Sequence, residues 1–235
     1  MAERQETEEE KREREDRERR REWLLLLLAL LVSNARQDIA GWITQAGAKT
    51  ITPQELGDRT VTLLLAGHAH AAYIGRNAAG LLSPFGQDDQ AFGQSVTLEQ
   101  QLYLAGFVQD LTNGRYTKTV DGEEVFDEGA AQRRGQMYAD RIAGTANEAW
   151  LRSIDQDTMV TWDDVGDSRE CTAEEAAKYG FPHNCPDLAE ASPWRAGDLD
   201  ASPGSGSTPC LTACRCRVWD ENGEEVSFDL ARVLD

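Results

Sequence analysis

Residues 23–32 read WLLLLLALLV, an unbroken apolar run directly behind a stretch in which almost every residue is charged. No other feature limits the fold as tightly. A helix that is apolar on every side has to be surrounded by protein, its own or a partner's. Ten helical residues rise about 15 Å, roughly half the hydrocarbon thickness of a bilayer, so no membrane span is expected. The preceding arm carries acids as often as bases, which is not the pattern of a secretory signal. Within that arm acids stand four residues ahead of bases: Glu8 and Arg12, Glu10 and Arg14, Glu13 and Arg17, Glu15 and Arg19. This order supports an exposed helix by roughly 0.2–0.5 kcal/mol per pair. Beyond the run, Ala35, Ile39, Trp42, Ile43 and Ala46 continue one apolar face. Two readings stay open. One is a core helix with a solvated extension. The other is a partner-binding or self-associating segment made by Trp23, Leu24, Leu25, Leu26, Leu27, Leu28, Leu30 and Leu31.

The middle of the chain reads as helical. Thr52-Pro53-Gln54-Glu55 is a capping box with proline at the first helical position. It opens a helix expected to run to about Ala79, with Leu56, Leu63, Leu64, Gly67, Ala71 and Ile74 along one side. Residues 77–94 are rich in Gly, Pro, Asp and Gln and predict a loop. Thr97 and Gln100 predict a second capping box before a helix over 98–112, which Asn113-Gly114 would end. Asp121-Gly122 between short β-formers predicts a hairpin. Asp127 then caps a helix to about Ser153, carrying Tyr138, Ile142, Ala146, Ala149 and Trp150 on its face. His68 and His70 would point about 200° apart on their helix, so they cannot share a metal on one face.

The last third changes character. Residues 159–162 predict a short strand, and 163–210 predict loops, with prolines at 182, 186, 193, 203 and 209. Residues 214–219 and 226–230 around Asp220-Glu221-Asn222-Gly223 predict a closing hairpin. The expected organisation is an arm and apolar helix over 1–50, a helical region over 51–153, and a cysteine-bearing α+β module over 154–235. The fold class is α+β.

Five cysteines are an odd number, and with no export signal a disulfide scaffold is the poorer reading. On a strand, Cys214 and Cys216 would share a face and Arg215 and Arg217 the other. If the fold brings Cys171 and Cys185 to them, four thiolates can surround a zinc ion, with Cys210 or His183 as alternates. The plainer alternative is that the cysteines pack as small apolar groups. His183, Cys185 and Asp187 crowd together as a nucleophile with helpers would, but such partners normally meet from distant parts of a sequence. A phosphate-cradling glycine loop and an HExxH helix are both absent from the sequence, so no enzyme is expected. The formal net charge of -18 opposes general binding to phosphate backbones. Outside the arm, basic pairs are confined to Arg133-Arg134 and Arg215/Arg217.

Trp162, then Asp167-Ser168-Arg169-Glu170-Cys171, and much later Cys214-Arg215-Cys216-Arg217-Val218, occur in an order that resembles the C-terminal signature of the phage Mu F-like head-morphogenesis family. The preceding helix, residues 138–147, is similar to the one that leads into that module, and the likeness covers roughly 130–220. Two departures stand out. Leu211-Thr212-Ala213 replaces the family's His-Pro-x before the Cys-Arg-Cys triplet, and thirteen residues separate Cys171 from Cys185 where the family has two. The resemblance implies a minor head protein of a tailed phage that acts in capsid assembly beside the portal protein and the major capsid protein. It would reside in the virion, at the capsid interior or portal vertex, after a time in the host cytoplasm. Trp162, Asp167, Arg169 and Arg215 would be its structural motif. On physical grounds Arg215 with Asp167, or Arg169 with an acid, can form a buried ion pair that fixes the tryptophan strand to the last strand; solvated surface charges are the open alternative. The alternative is a zinc-stabilised accessory module that contacts DNA in packaging or ejection.

Overall fold

The computed structural model describes residues 7–165, 171–229 and 233. Asp167 and Arg169 of the motif lie outside them, as do Leu230 and the side chain of Glu10. Four long helices form the first layer: α1 (Glu8–Gly47), α2 (Pro53–Ala78), α3 (Gln87–Thr112) and α4 (Glu128–Ser153), with a hairpin of β1 (Thr117–Val120) and β2 (Glu123–Phe126) between the last two. The C-terminal region carries β3 (Met159–Asp163), α5 (Ala173–Tyr179), α6 (Cys185–Glu190), β4 (Trp194–Arg195) and β5 (Arg217–Asp220). Helices with short antiparallel strands make this an α+β fold.

In α1 the charged arm and the apolar run form one continuous helix. Glu15 pairs with Arg19 at 3.9 Å, while Arg14 reaches Glu18 at 3.1 Å. The apolar stretch is covered on one side only. Leu24, Leu28, Val32, Ala35, Ile39 and Ile43 are buried, Leu25, Leu27 and Leu31 pack partly against the same core, and Trp23, Leu26 and Leu30 remain about 60% exposed (58%, 63% and 61%). Helical geometry explains the split, because positions 24, 28, 32, 35 and 39 recur every three to four residues and turn one stripe inward.

The capping box at Thr52 forms as the sequence predicts: the Thr52 hydroxyl accepts from the Glu55 N–H at 3.1 Å, and the Glu55 carboxylate accepts from the Thr52 N–H at 2.8 Å. The second predicted box is a correction. α3 begins at Gln87, eleven residues earlier, and Thr97 lies inside it, buried, donating its hydroxyl to the Gly93 carbonyl at 2.7 Å. Asp89 sets the true start. Its carboxylate accepts from the Gly86 N–H at 2.9 Å and is held by Arg76 at 3.0 and 2.9 Å. This tertiary ion pair ties α3 to α2, and Asp, Gln and Gly in the window conceal it from propensity.

Helix α4 is central. It packs on α1 and α2, and its small residues Ala139, Ala143 and Ala146 are fully buried. Gly75 of α2 lies against its backbone, where a Cβ would fall on the Ala146 carbonyl, and a Cβ on Gly144 would fall on the backbone of Gly204 in the C-terminal region. Asn147 joins the two parts by donating to the Pro203 carbonyl at 3.1 Å and accepting from the Phe228 N–H at 2.6 Å.

His68 of α2 is wholly buried against α4, its Nδ1 2.8 Å from the Thr145 hydroxyl. Burial, then the neighbouring Arg141 charge, pushes its imidazole down to about 3 from 6.5. The unfolded chain therefore takes a proton below pH 6.5 that the folded chain refuses until about pH 3. Stability present above pH 6.5 is lost across that window at about 1.4 kcal/mol per pH unit. Urea midpoints measured between pH 7.5 and 4.5 are expected to fall more steeply for the native chain than for His68→Gln. Parallel slopes would contradict this.

The C-terminal sheet has the order β4-β3-β5, all antiparallel, with Trp162 opposite Val218 and Val160 opposite Trp194. The predicted closing hairpin is reduced: β5 starts at Arg217, not Cys214, and its return leg is a bridge between Trp219 and Glu225. The predicted loop over 163–210 contains α5, α6 and β4. Their caps are Thr172, which accepts from the Glu175 N–H at 3.2 Å, and Asn184, which accepts from the Asp187 N–H at 2.9 Å. Helices of six and seven residues are too short to show a periodic stripe in sequence.

Candidate metal centre

The five cysteines arrive at one place from three stretches of the C-terminal region. Cys171 precedes α5, and Cys185 is the first residue of α6. Cys210 and Cys214 flank the short 3-10 turn Leu211–Ala213, and Cys216 leads into β5. All five are buried and none is in a disulfide. The Cys185 Sγ lies 3.5 Å from Cys210 Sγ and 3.7 Å from Cys214 Sγ. Two sets of three sulfurs lie within 4.8 Å of one another, Cys171 with Cys185 and Cys210, and Cys185 with Cys214 and Cys216. A buried cysteine cluster that can hold a metal ion is thus a property of the fold.

The surroundings suit thiolates. The Cys185 N–H points at Cys171 Sγ at 3.1 Å, and the Thr208 hydroxyl sits 3.1 Å from Cys210 Sγ. Hydrogen bonds of this kind stabilise sulfur that carries negative charge. The Cys185 thiol hydrogen bond holds Cys210 and Cys216 well below the ordinary thiol range, while Cys185 itself is driven far above it by its bonds to Cys210, Cys214 and Cys216 and by burial. Cys171 is raised by burial; Cys214 is lowered by Cys185 but raised more by Cys210, Cys216 and burial. Five adjacent buried thiols cannot all ionise in a low-dielectric site, and a divalent cation removes that obstacle. Sulfur-only donors suit soft or borderline ions such as zinc.

Of the predicted set, Cys185 meets Cys171 on one side and Cys214 and Cys216 on the other, and Cys210 joins the Cys171 side. His183 does not. Its Nε2 faces Asp200 at 3.3 Å, and its ring lies 6.1 Å from that of Trp194. Asp187 bonds the Asn184 amide at 2.6 Å within the α6 cap. The predicted alternation survives without a strand at 214–216: Cys214, Cys216 and Val218 are buried and Arg215 is exposed. Asp167, its expected ion-pair partner, lies outside the described residues. The ribbon is joined to β3 by the sheet itself and by the Trp219 indole N–H donating to Asp163 at 3.3 Å. Sequence reasoning also missed Asp164, whose Oδ1 lies 3.6 Å from Cys216 Sγ. One acid among forty-two Asp and Glu residues carries no signal before the fold is known.

Compared with protein-family models, curated proteins and solved structures, the chain matches none.

Proposed function

We propose that the chain is a structural minor head protein of a tailed phage, acting in capsid assembly beside the portal and major capsid proteins, with zinc fastening its C-terminal module. The observation that supports this reading is the pairing of β3 with β5. Trp162 stands opposite Val218, so the tryptophan strand and the ribbon following Cys214-Arg215-Cys216 are neighbours in one sheet, as the family resemblance requires. Zinc, when bound, supplies a rigid cross-link among the short segments that pack around Trp162. The side chains of Cys171, Cys185, Cys210, Cys214 and Cys216 bring those loops to it. A DNA-binding accessory role has less support, because Arg217 is matched with Asp229 at 3.6 Å in a strongly acidic chain.

The exposed ridge of Trp23, Leu26 and Leu30 is the surface we assign to a head partner. It lies on a helix whose opposite stripe already fills the core. The test is sedimentation of proheads assembled with the portal and major capsid proteins. The native chain is expected in the prohead fraction, and a triple Trp23→Asp, Leu26→Asp, Leu30→Asp variant is expected to stay behind with its thermal transition unchanged. Absence of the native chain from proheads would end the head-protein reading.

A further inference from the structure

We propose that the five thiols and Asp164 form a two-metal thiolate cluster in which the Cys185 sulfur bridges two zinc-class divalent ions. This rests on the metal-fastened reading above and adds its stoichiometry and ligand roles.

A tetrahedral thiolate site with metal–sulfur bonds of about 2.3 Å places its four sulfurs about 3.8 Å apart. A single-ion centre needs four sulfurs at that mutual spacing. Among the described residues the sulfurs fall instead into two groups of three, and Cys185 belongs to both. Its distances of 3.5 and 3.7 Å, one into each group, are those expected for sulfurs bound to a common ion. One ion would also leave a fifth thiol buried with no role.

Two tetrahedral ions that share one donor require seven donor positions. The five sulfurs supply five. Asp164, 3.6 Å from Cys216 Sγ, supplies a sixth on the Cys214 and Cys216 side. The seventh falls on the Cys171 and Cys210 side to a water molecule. The Thr208 hydroxyl, 3.1 Å from Cys210 Sγ and 3.9 Å from Cys185 Sγ, lies there to hold it. The charges also balance. Two divalent ions among five thiolates and one carboxylate leave two excess negative charges, the same excess as one ion among four thiolates. Each thiol that becomes a ligand releases its proton to solvent, so loading acidifies an unbuffered solution.

The test is native mass spectrometry of the full chain after reduction and equilibration with zinc, together with a cobalt(II) titration followed by the thiolate charge-transfer absorption. Two zinc ions per chain are expected, with absorption rising to two equivalents. Cys216→Ser, which removes a donor from one side only, is expected to hold one ion and keep the fold. Saturation of the native chain at one ion, or retention of two by Cys216→Ser, would overturn the two-metal assignment and leave the metal-fastened module standing. No bound ion on the reduced native chain would overturn both.

Discussion

Cys185→Ser is expected to abolish tight zinc binding and to unfold the region around residues 171–220, while α1 to α4 keep their helical signal. Cys185 is the sulfur common to both thiol groups, so its replacement removes a donor from each. Structural zinc contributes on the order of 10 kcal/mol of apparent folding free energy to small modules. A loss of about 5 kcal/mol or more is expected here. Without metal, the same substitution would exchange one small buried polar group for another at roughly 1–3 kcal/mol. Urea denaturation of the native chain and the variant, each with zinc and with a chelator, separates the two cases. The chelator should lower the native midpoint towards that of the variant and leave the variant unmoved. A native midpoint indifferent to chelation would contradict the expectation.

The second large effect is expected at Trp162→Ala, about 3–5 kcal/mol by loss of a filled core site. Trp162 is 1% exposed and belongs to the core that contains all five cysteines, with Val160, Val218, Leu188 and Leu199. Its indole N–H has no hydrogen-bond partner among the described residues. Trp162→Phe therefore forfeits volume but no polar contact, and is expected to cost less than half as much. Thermal midpoints with zinc present check this. Equal losses for Ala and Phe would show that the ring's bulk is not what holds β3 against β5.

The contrast between legible and hidden elements has a physical basis. Thr52, Asp121-Gly122 and Asp127 act through their immediate neighbours, so the start of α2, the first hairpin and the start of α4 can be read locally. The buried stripes of α2 and α4 repeat at helical spacing for seven turns, which makes a strong signal. The start of α3 depends on Arg76 reaching Asp89 across a loop, and no local window contains that contact. The thiols were individually visible, yet which of them meet is decided by long-range packing over forty-six residues. Cys210 stood as an alternate ligand in the sequence and becomes an equal one only when the turn beside Thr208 folds it inward. Spacing also gave the apolar run of α1 no sidedness. The structure supplies it by covering Leu24 and Leu28 and leaving Trp23, Leu26 and Leu30 bare.

Glycines 75 and 144 give α4 two neighbours that touch it main chain to main chain, α2 at Ala146 and the Gly204 loop at Gly144. Side chains adapt by changing rotamer, but bare backbones at van der Waals contact have nothing to rotate. A pull on the thiol-bearing end would therefore travel into the helical layer as a rigid displacement, through two hard bearings and the Asn147 amide between them. The bundle and its appendix would turn together, as a handle turns with its shaft.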